Sequence, residues 1–248
     1  MMYSMRAKDK IIVALDVPGL AAGEELVRRL LPYVGMFKVG LELYTAAGPA
    51  AVHMIKEHGG KVFADLKLHD IPNTVAGAAR ALVRLGVDML NVHAAGGRKM
   101  LCAAAAAVRE EAAALGRPAP LLIAVTVLTS LDGDALRNEV GIEREVEDQV
   151  VRWARLTQEA GLDGVVASPR EIQAIRRACG PDFLIVTPGV RPAGADPGDQ
   201  SRIMTPQDAL RQGASYLVIG RPITAAPDPA AAARAIGEEM EGALGNNV

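Results

Sequence analysis

Aromatic residues are nearly missing from this 248-residue chain: one Trp, four Tyr and three Phe make up 3% of it. Base-stacking platforms for nucleic acids have little to be built from. Charge of one sign is not in excess either. Lys and Arg number 27 against 29 Asp and Glu, a net charge of −2, so no broad basic field exists to hold a nucleic-acid backbone or an anionic membrane. The two cysteines, Cys102 and Cys179, lie far apart. They make neither a disulfide framework nor a metal-ligand spacing, and they fit a reducing, cytoplasmic compartment. HxH, HExxH and CxxC patterns are absent, so no transition-metal site is expected. The longest apolar run, Leu121–Leu128 with Thr126 inside it, is far short of the ~20 residues a membrane span needs. Met1–Lys10 has no apolar stretch of the secretory type.

What is present points to a large packed core. Half the residues are hydrophobic and 23% are charged, which excludes a disordered chain. The length suits one (β/α)₈ barrel of roughly 250 residues, and such a chain needs no disulfide or structural metal to bury its core. Eight β-rich runs recur: Ile11–Asp16, Met36–Leu41, Lys61–Lys67, Asp88–His93, Leu121–Leu128, Gly164–Ser168, Phe183–Thr187 and Ser215–Gly220. Several are almost continuously apolar (IIVAL, LLIAV, FLIV, YLVI), as strands buried on both faces must be. Helical stretches lie between them, for example 21–31, 73–86, 99–116 and 143–161. Gly86, Gly116, Gly161, Gly180 and Gly213 stand where helices should close. A doubly wound sheet also repeats βα, but it seldom has eight units and usually carries GxGxxG after its first strand. Here that strand ends ALDVPG. The expectation is an α/β protein, a single (β/α)₈ barrel domain over residues 1–248.

Barrel chemistry sits at the C-terminal ends of strands. There the chain has Asp16, Lys38, Asp65, Lys67, His93, Thr126, Thr129, Gly220 and Arg221. Asp65 and Lys67 are two apart, so a regular strand turns them to one face, above Phe63. One buried ion pair would be unremarkable; four charges converging on one mouth make a functional site the better reading. Asp70 lies beyond the strand, just before Ile71-Pro72, where a helix begins. His93 by itself reads as a structural histidine, and His53, His58 and His69 as surface or loop residues. Gly220 with Arg221 has the chemistry of a barrel phosphate site. Two loops are expected, Thr129–Ile142 after strand 5 and the Pro/Gly/Asp-rich Pro188–Thr205 after strand 7. The second is long enough to be a functional lid.

IIVALDVP, FKVGLELYTAAGP, VFADLKLHDIPNTV, LNVHAAGG, AVTVLTS, VTPGVRP and LVIGRPIT occur in this order from residue 11 to residue 224. Together they resemble the orotidine 5′-phosphate decarboxylases, whose DxKxxD motif is matched by Asp65-Leu66-Lys67-Leu68-His69-Asp70 followed by IPNT. The resemblance implies decarboxylation of orotidine 5′-monophosphate (OMP) to UMP in pyrimidine synthesis, without metal or organic cofactor. It implies Lys67 as proton donor and Asp65 facing the departing carboxylate. Lys38 and Asp70 complete an alternating charge row, with Asp70 supplied by the second subunit of a homodimer. Asp16 and Lys38 would hold the ribose hydroxyls, helped by Thr74 of the partner subunit. Thr129 would contact the pyrimidine edge. Arg191, Gln200, Gly220 and Arg221 would hold the phosphate.

Elementary chemistry supports those roles. Loss of CO₂ leaves a carbanion with no imine or metal to absorb it, so the stabiliser must be a fixed positive charge that can also give a proton. A lysine flanked by the carboxylates of Asp65 and Asp70 meets both needs. Two alternatives stay open: a Mg²⁺-dependent sugar-phosphate decarboxylase or aldolase of the same superfamily, and a non-catalytic nucleotide-binding barrel. The first is disfavoured because such proteins carry a metal-binding glutamate in strand 2 where this chain has Lys38. The second would tolerate loss of Lys67 or Asp70, and both are present.

Overall fold

A computed structural model describes residues 6–192 and 204–244. Eight parallel strands close into a barrel in the order β1 to β8, each hydrogen-bonded to the next and β8 back to β1. They are β1 (Ile11–Ala14), β2 (Met36–Val39), β3 (Val62–Leu68), β4 (Met89–His93), β5 (Leu121–Val125), β6 (Gly164–Val166), β7 (Leu184–Pro188) and β8 (Tyr216–Ile219). The helices following β1 to β4 are α1 (Leu20–Leu30), the pair α2 (Leu41–Ala47) and α3 (Ala50–Glu57), α4 (Pro72–Leu85) and α5 (Gly97–Ala114). After β5 come α6 (Gly133–Asn138) and α7 (Val146–Glu159), after β6 α8 (Ile172–Cys179), after β7 α9 (Pro206–Gln212), and after β8 α10 (Arg221–Thr224) and α11 (Pro229–Leu244). The eight expected strands all form; β1, β2, β5, β6 and β8 end before the expected C-terminal residue, β4 ends at it, and β3 and β7 run one residue further.

Two expectations need correction. Thr129–Ile142 is not all loop, because Asp132 accepts from the Ala135 N–H at 2.9 Å and starts α6. Thr126 lies beyond β5 rather than within it, and Thr129 lies after the strand as expected. The five helix-closing glycines all have positive φ. At Gly86 and Gly213 the left-handed conformation terminates α4 and α9, which a side chain would resist.

The core has two compartments, separated by the period-two alternation of the strands. Ile12, Ala14, Met36, Phe63, Met89, Ile123, Val186 and Val218 fill the barrel interior. Their neighbours, such as Ile11, Val13, Phe37, Val39, Leu90 and Val92, belong to the larger layer between sheet and helices. Two residues above the interior set stand Asp16 over Ala14, Lys38 over Met36, Asp65 over Phe63 and Asn91 over Met89. Polar groups therefore replace apolar ones where the inward face reaches the open end.

Candidate active site

The mouth of the barrel holds a cavity of about 340 Å³. Asp16, Lys38, Asp65, Lys67, Thr129, Arg191, Gly220 and Arg221 all line it. Eight residues that the sequence pointed to, from six strand ends, thus come together in one place. Asp70 and Thr74 do not line it. Asp70 is exposed ahead of α4, where its Oδ1 accepts from the Ile71 N–H at 2.6 Å, and Thr74 is exposed on the first turn. Gln200 lies outside the described residues.

Four charges form a chain across the mouth. Lys67 Nζ donates to Asp65 Oδ1 at 2.6 Å, Lys38 Nζ lies 3.2 Å from Asp65 Oδ2, and it also donates to Asp16 Oδ1 at 3.2 Å. Lys38 is 8% exposed, so its charge is desolvated and must be paired. Burial by itself would raise the Asp65 carboxyl, but the ammonium groups of Lys38 and Lys67, with hydrogen bonds from Lys67 and Asn91, hold it below the usual carboxylate range. Asp65 is therefore a fixed anion with both oxygens engaged.

The expectation that Asp65 and Lys67 share a face is met, though not by a regular strand. Lys67 sits at φ 51, the single non-glycine at positive φ among the described residues. The β3–β4 register shifts between Ala64 and Leu68 at the same point. A left-handed lysine costs roughly 1–2 kcal/mol, and such outliers persist where their surroundings over-determine them.

Two residues that sequence reasoning passed over complete the geometry. Asn91 is fully buried; its Oδ1 accepts from the Lys67 N–H and its Nδ2 donates to Asp65 Oδ1, both at 2.7 Å. The available signal was a lone polar residue, in MLNVH, at an inward position of an apolar strand. Gly40 follows β2 where a Cβ would come within 2.8 Å of Lys38 Nζ and 3.2 Å of Asp16 Oδ1. A side chain there would require the Lys38 ammonium to shift from this position.

His93 closes β4 as a structural residue. Its ring stacks on His69 at 5.3 Å and meets Trp153 edge-on at 5.9 Å. Burial, then the neighbouring His69 and Lys67, push its pKa down to about 4, so at neutral pH it adds no charge beside Lys67. A larger cavity, about 830 Å³, adjoins the mouth and shares Val127, Leu128, Thr129, Pro188 and Gly189 with it. No lysine is among its described lining residues, and its buried acid, Glu171, is pushed upward by desolvation. The linked charges of Asp16, Lys38, Asp65 and Lys67 belong to the smaller cavity. Among the described residues no helix is long and apolar enough to cross a membrane, and no cluster of three or more His, Cys, Asp or Glu could hold a metal ion.

Comparison with known proteins gives the family and the fold. The model of the orotidine 5′-phosphate decarboxylase / HUMPS family matches residues 9–236. Orotidine 5′-phosphate decarboxylase of Moorella thermoacetica is 82% identical over 240 residues, covering 97% of this chain and 95% of that protein. The protein of the same name from Syntrophotalea carbinolica is 59% identical over 240 residues, covering 97% and 98%. Among solved structures, orotidine 5′-phosphate decarboxylase from Lactobacillus acidophilus superimposes with a TM-score of 0.79 at 41% identity, covering 93% of this chain and 98% of that one.

Proposed function

Because this chain belongs to the orotidine 5′-phosphate decarboxylase / HUMPS family, we propose that the mouth cavity is where its reaction takes place, with Lys67 as the proton donor. The enzyme is a carboxy-lyase: it converts OMP to UMP and CO₂ in pyrimidine biosynthesis. The observation that carries the site assignment is the Lys67–Asp65–Lys38–Asp16 chain within the cavity.

In this reading the carboxylate of bound OMP lies against Asp65. At ~4 Å their repulsion is about 4 kcal/mol at an effective dielectric of 20. Very slow reactions need barrier lowering of about 20 kcal/mol or more. Repulsion is therefore the smaller share. The larger share comes from the Lys67 ammonium, held in place before the carbanion develops, and from phosphate binding realised most fully in the transition state. As the C–CO₂ bond breaks, its electron pair stays on the ring carbon and takes a proton from Lys67 Nζ. Asp16 and Lys38 hold the ribose, Thr129 the pyrimidine edge, and Arg191, Gln200, Gly220 and Arg221 the phosphate.

Asp70 and Thr74 act in the neighbouring site of a homodimer. Their exposure and their absence from the lining of their own cavity support this. Mixing inactive Lys67→Ala with inactive Asp70→Asn protein should restore activity in the exchanged heterodimers. No recovery while subunits demonstrably exchange would refute a shared site. The cytoplasm is the compartment that suits the enzyme, whose two thiols are unpaired.

A metal-assisted reaction is disfavoured by the donor set. The Lys38 ammonium bridges Asp16 and Asp65, the two carboxylates a divalent cation would need. The test is the absorbance change of OMP mixed with the enzyme in EDTA. Conversion at full rate is expected; a rate abolished by EDTA would favour the metal-dependent alternative, and binding without conversion the non-catalytic one.

A further inference from the structure

Asn91 sits on the inward face of β4 with no exposed surface, and both ends of its amide are engaged. Oδ1 accepts from the Lys67 backbone N–H and Nδ2 donates to Asp65 Oδ1, each at 2.7 Å. The same Asp65 oxygen accepts from Lys67 Nζ at 2.6 Å. A closed ring results, running from the Asn91 amide through the Lys67 peptide and side chain to the Asp65 carboxylate and back. The amide orientation is forced, since the flipped form would set N–H against N–H and oxygen against carboxylate.

The peptide gripped by Asn91 is the left-handed one, in the register shift between Ala64 and Leu68. A strand amide in regular register finds its partner in the neighbouring ladder; this one finds it in a side chain. One short group must both accept and donate here. Aspartate would lack the donor and bring a second carboxylate against Asp65, leucine would lack both functions, and glutamine is one carbon too long for a fully packed position.

We infer that Asn91 is a positioning residue of the decarboxylation. It holds the Lys67 peptide in its left-handed conformation and the Asp65 carboxylate on one amide, and so fixes the proton donor against the group that faces the departing carboxylate. This rests on the reading of Lys67 as proton donor. Asn91 touches neither solvent nor cavity, and its effect passes through Lys67 and Asp65.

The test is Asn91→Ala, with kcat counted per UMP-binding site so that unfolded protein does not enter the rate. A fall in kcat of about 100-fold is expected, with UMP affinity and the KM for OMP within about threefold of wild type. A kcat within tenfold of wild type, or UMP affinity lost in parallel with kcat, overturns the inference. Lys67→Ala measured alongside separates the two claims: near-normal turnover of that variant refutes the proton-donor reading, whereas an inactive Lys67→Ala with a nearly unimpaired Asn91→Ala refutes the positioning role alone. Should Asn91→Ala not fold, amide hydrogen exchange on the unaltered enzyme decides. A protected Lys67 amide supports the clamp, and one exchanging as fast as the loop amides overturns it.

Discussion

The two ends of the barrel use polar groups in opposite ways. At the N-terminal end they close backbone bonds. Asp88, Asp163 and Ser215 each stand just before an even-numbered strand and grip one residue of the preceding strand twice. Asp88 takes the Val62 N–H on its side chain at 2.8 Å and gives its own N–H to Val62 O at 2.9 Å. Asp163 does the same to Leu122 at 2.7 and 2.9 Å, and Ser215 to Ile185 at 3.1 and 2.8 Å. Before β2 the corresponding place is Gly35, where a Cβ would come within 2.2 Å of Asp9 O, so the side-chain prong is missing. Arg176 then ties the carbonyls of Gly180, Pro181, Phe183 and Gly213 and the Ser215 hydroxyl.

At the C-terminal end charges meet charges. Lys38, Asp65, Lys67 and Asp16 satisfy one another beside an open cavity, and one backbone residue is held in a costly conformation. The difference teaches that polar groups turned to the backbone serve stability, while charges turned to one another around the largely buried Lys38 and Asp65 are what the proposed reaction would draw on. Paired buried charges such as Lys38 and Asp65 add little net stability.

Changes at the two ends should therefore separate activity from stability. The largest effect is expected from Lys67→Ala, which should lower kcat/KM by ~10⁴-fold or more while UMP still binds and the melting temperature barely falls. Near-normal turnover would erase the contrast. Arg176→Ala should do the reverse. Removing the Arg176 donor from four carbonyls and from the Ser215 hydroxyl, which keeps only the Ile185 N–H, should cost about 3 kcal/mol and lower the melting temperature by about 10 °C, with kcat per folded enzyme unchanged. A fall in kcat at unchanged stability would show that the lower end reaches the chemistry. Arg221→Ala should lower kcat/KM for OMP by about two to three orders of magnitude, and should hardly slow a substrate lacking the phosphate. If both substrates slow equally, Arg221 acts on the fold or the chemistry rather than on the phosphate.

The smallest effect concerns His93, which belongs to the upper end but carries no charge in the folded state. Its folded pKa is lowered to about 4 from 6.5, so between those values the unfolded chain binds more protons than the folded one. Its contribution to stability is complete above about pH 6.5 and is lost as pH falls toward 4. Because the ring is partly exposed, about 1–2 kcal/mol is the expected size after solvent screening. Urea titrations of wild type and His93→Asn should differ in slope across that window, and equal slopes would show that His93 is not held neutral.

Much of this was legible before any tertiary contact was known. Near-continuous apolar runs at βα spacing specify eight buried parallel strands, and eight of them without GxGxxG specify closure. Period-two alternation turns Lys38 and Asp65 inward because Met36 and Phe63 are inward. Asn91 was readable on the same rule from Met89, but a single polar residue has no chemistry until its partners are known. The α6 turn was missed because its Asp132 cap is a local hydrogen bond within a stretch rich in Asp and Gly, a composition common to loops and helix starts alike.

What the chain order by itself determined is which charges exist and on which strand ends they fall, since strand periodicity is a local steric property. Only the tertiary structure decided which of them share a cavity. DxKxxD puts Asp65, Lys67 and Asp70 within six residues, yet two meet in the mouth and Asp70 stands outside it. That separation arises because Pro72 starts α4 and turns the chain away from the strand. The left-handed Lys67 was likewise beyond reach of any local rule. Its conformation follows from a register shift against β4 and from the Asn91 amide 24 residues away, and a non-local partner can outweigh a backbone preference of ~1–2 kcal/mol that local sequence alone would obey.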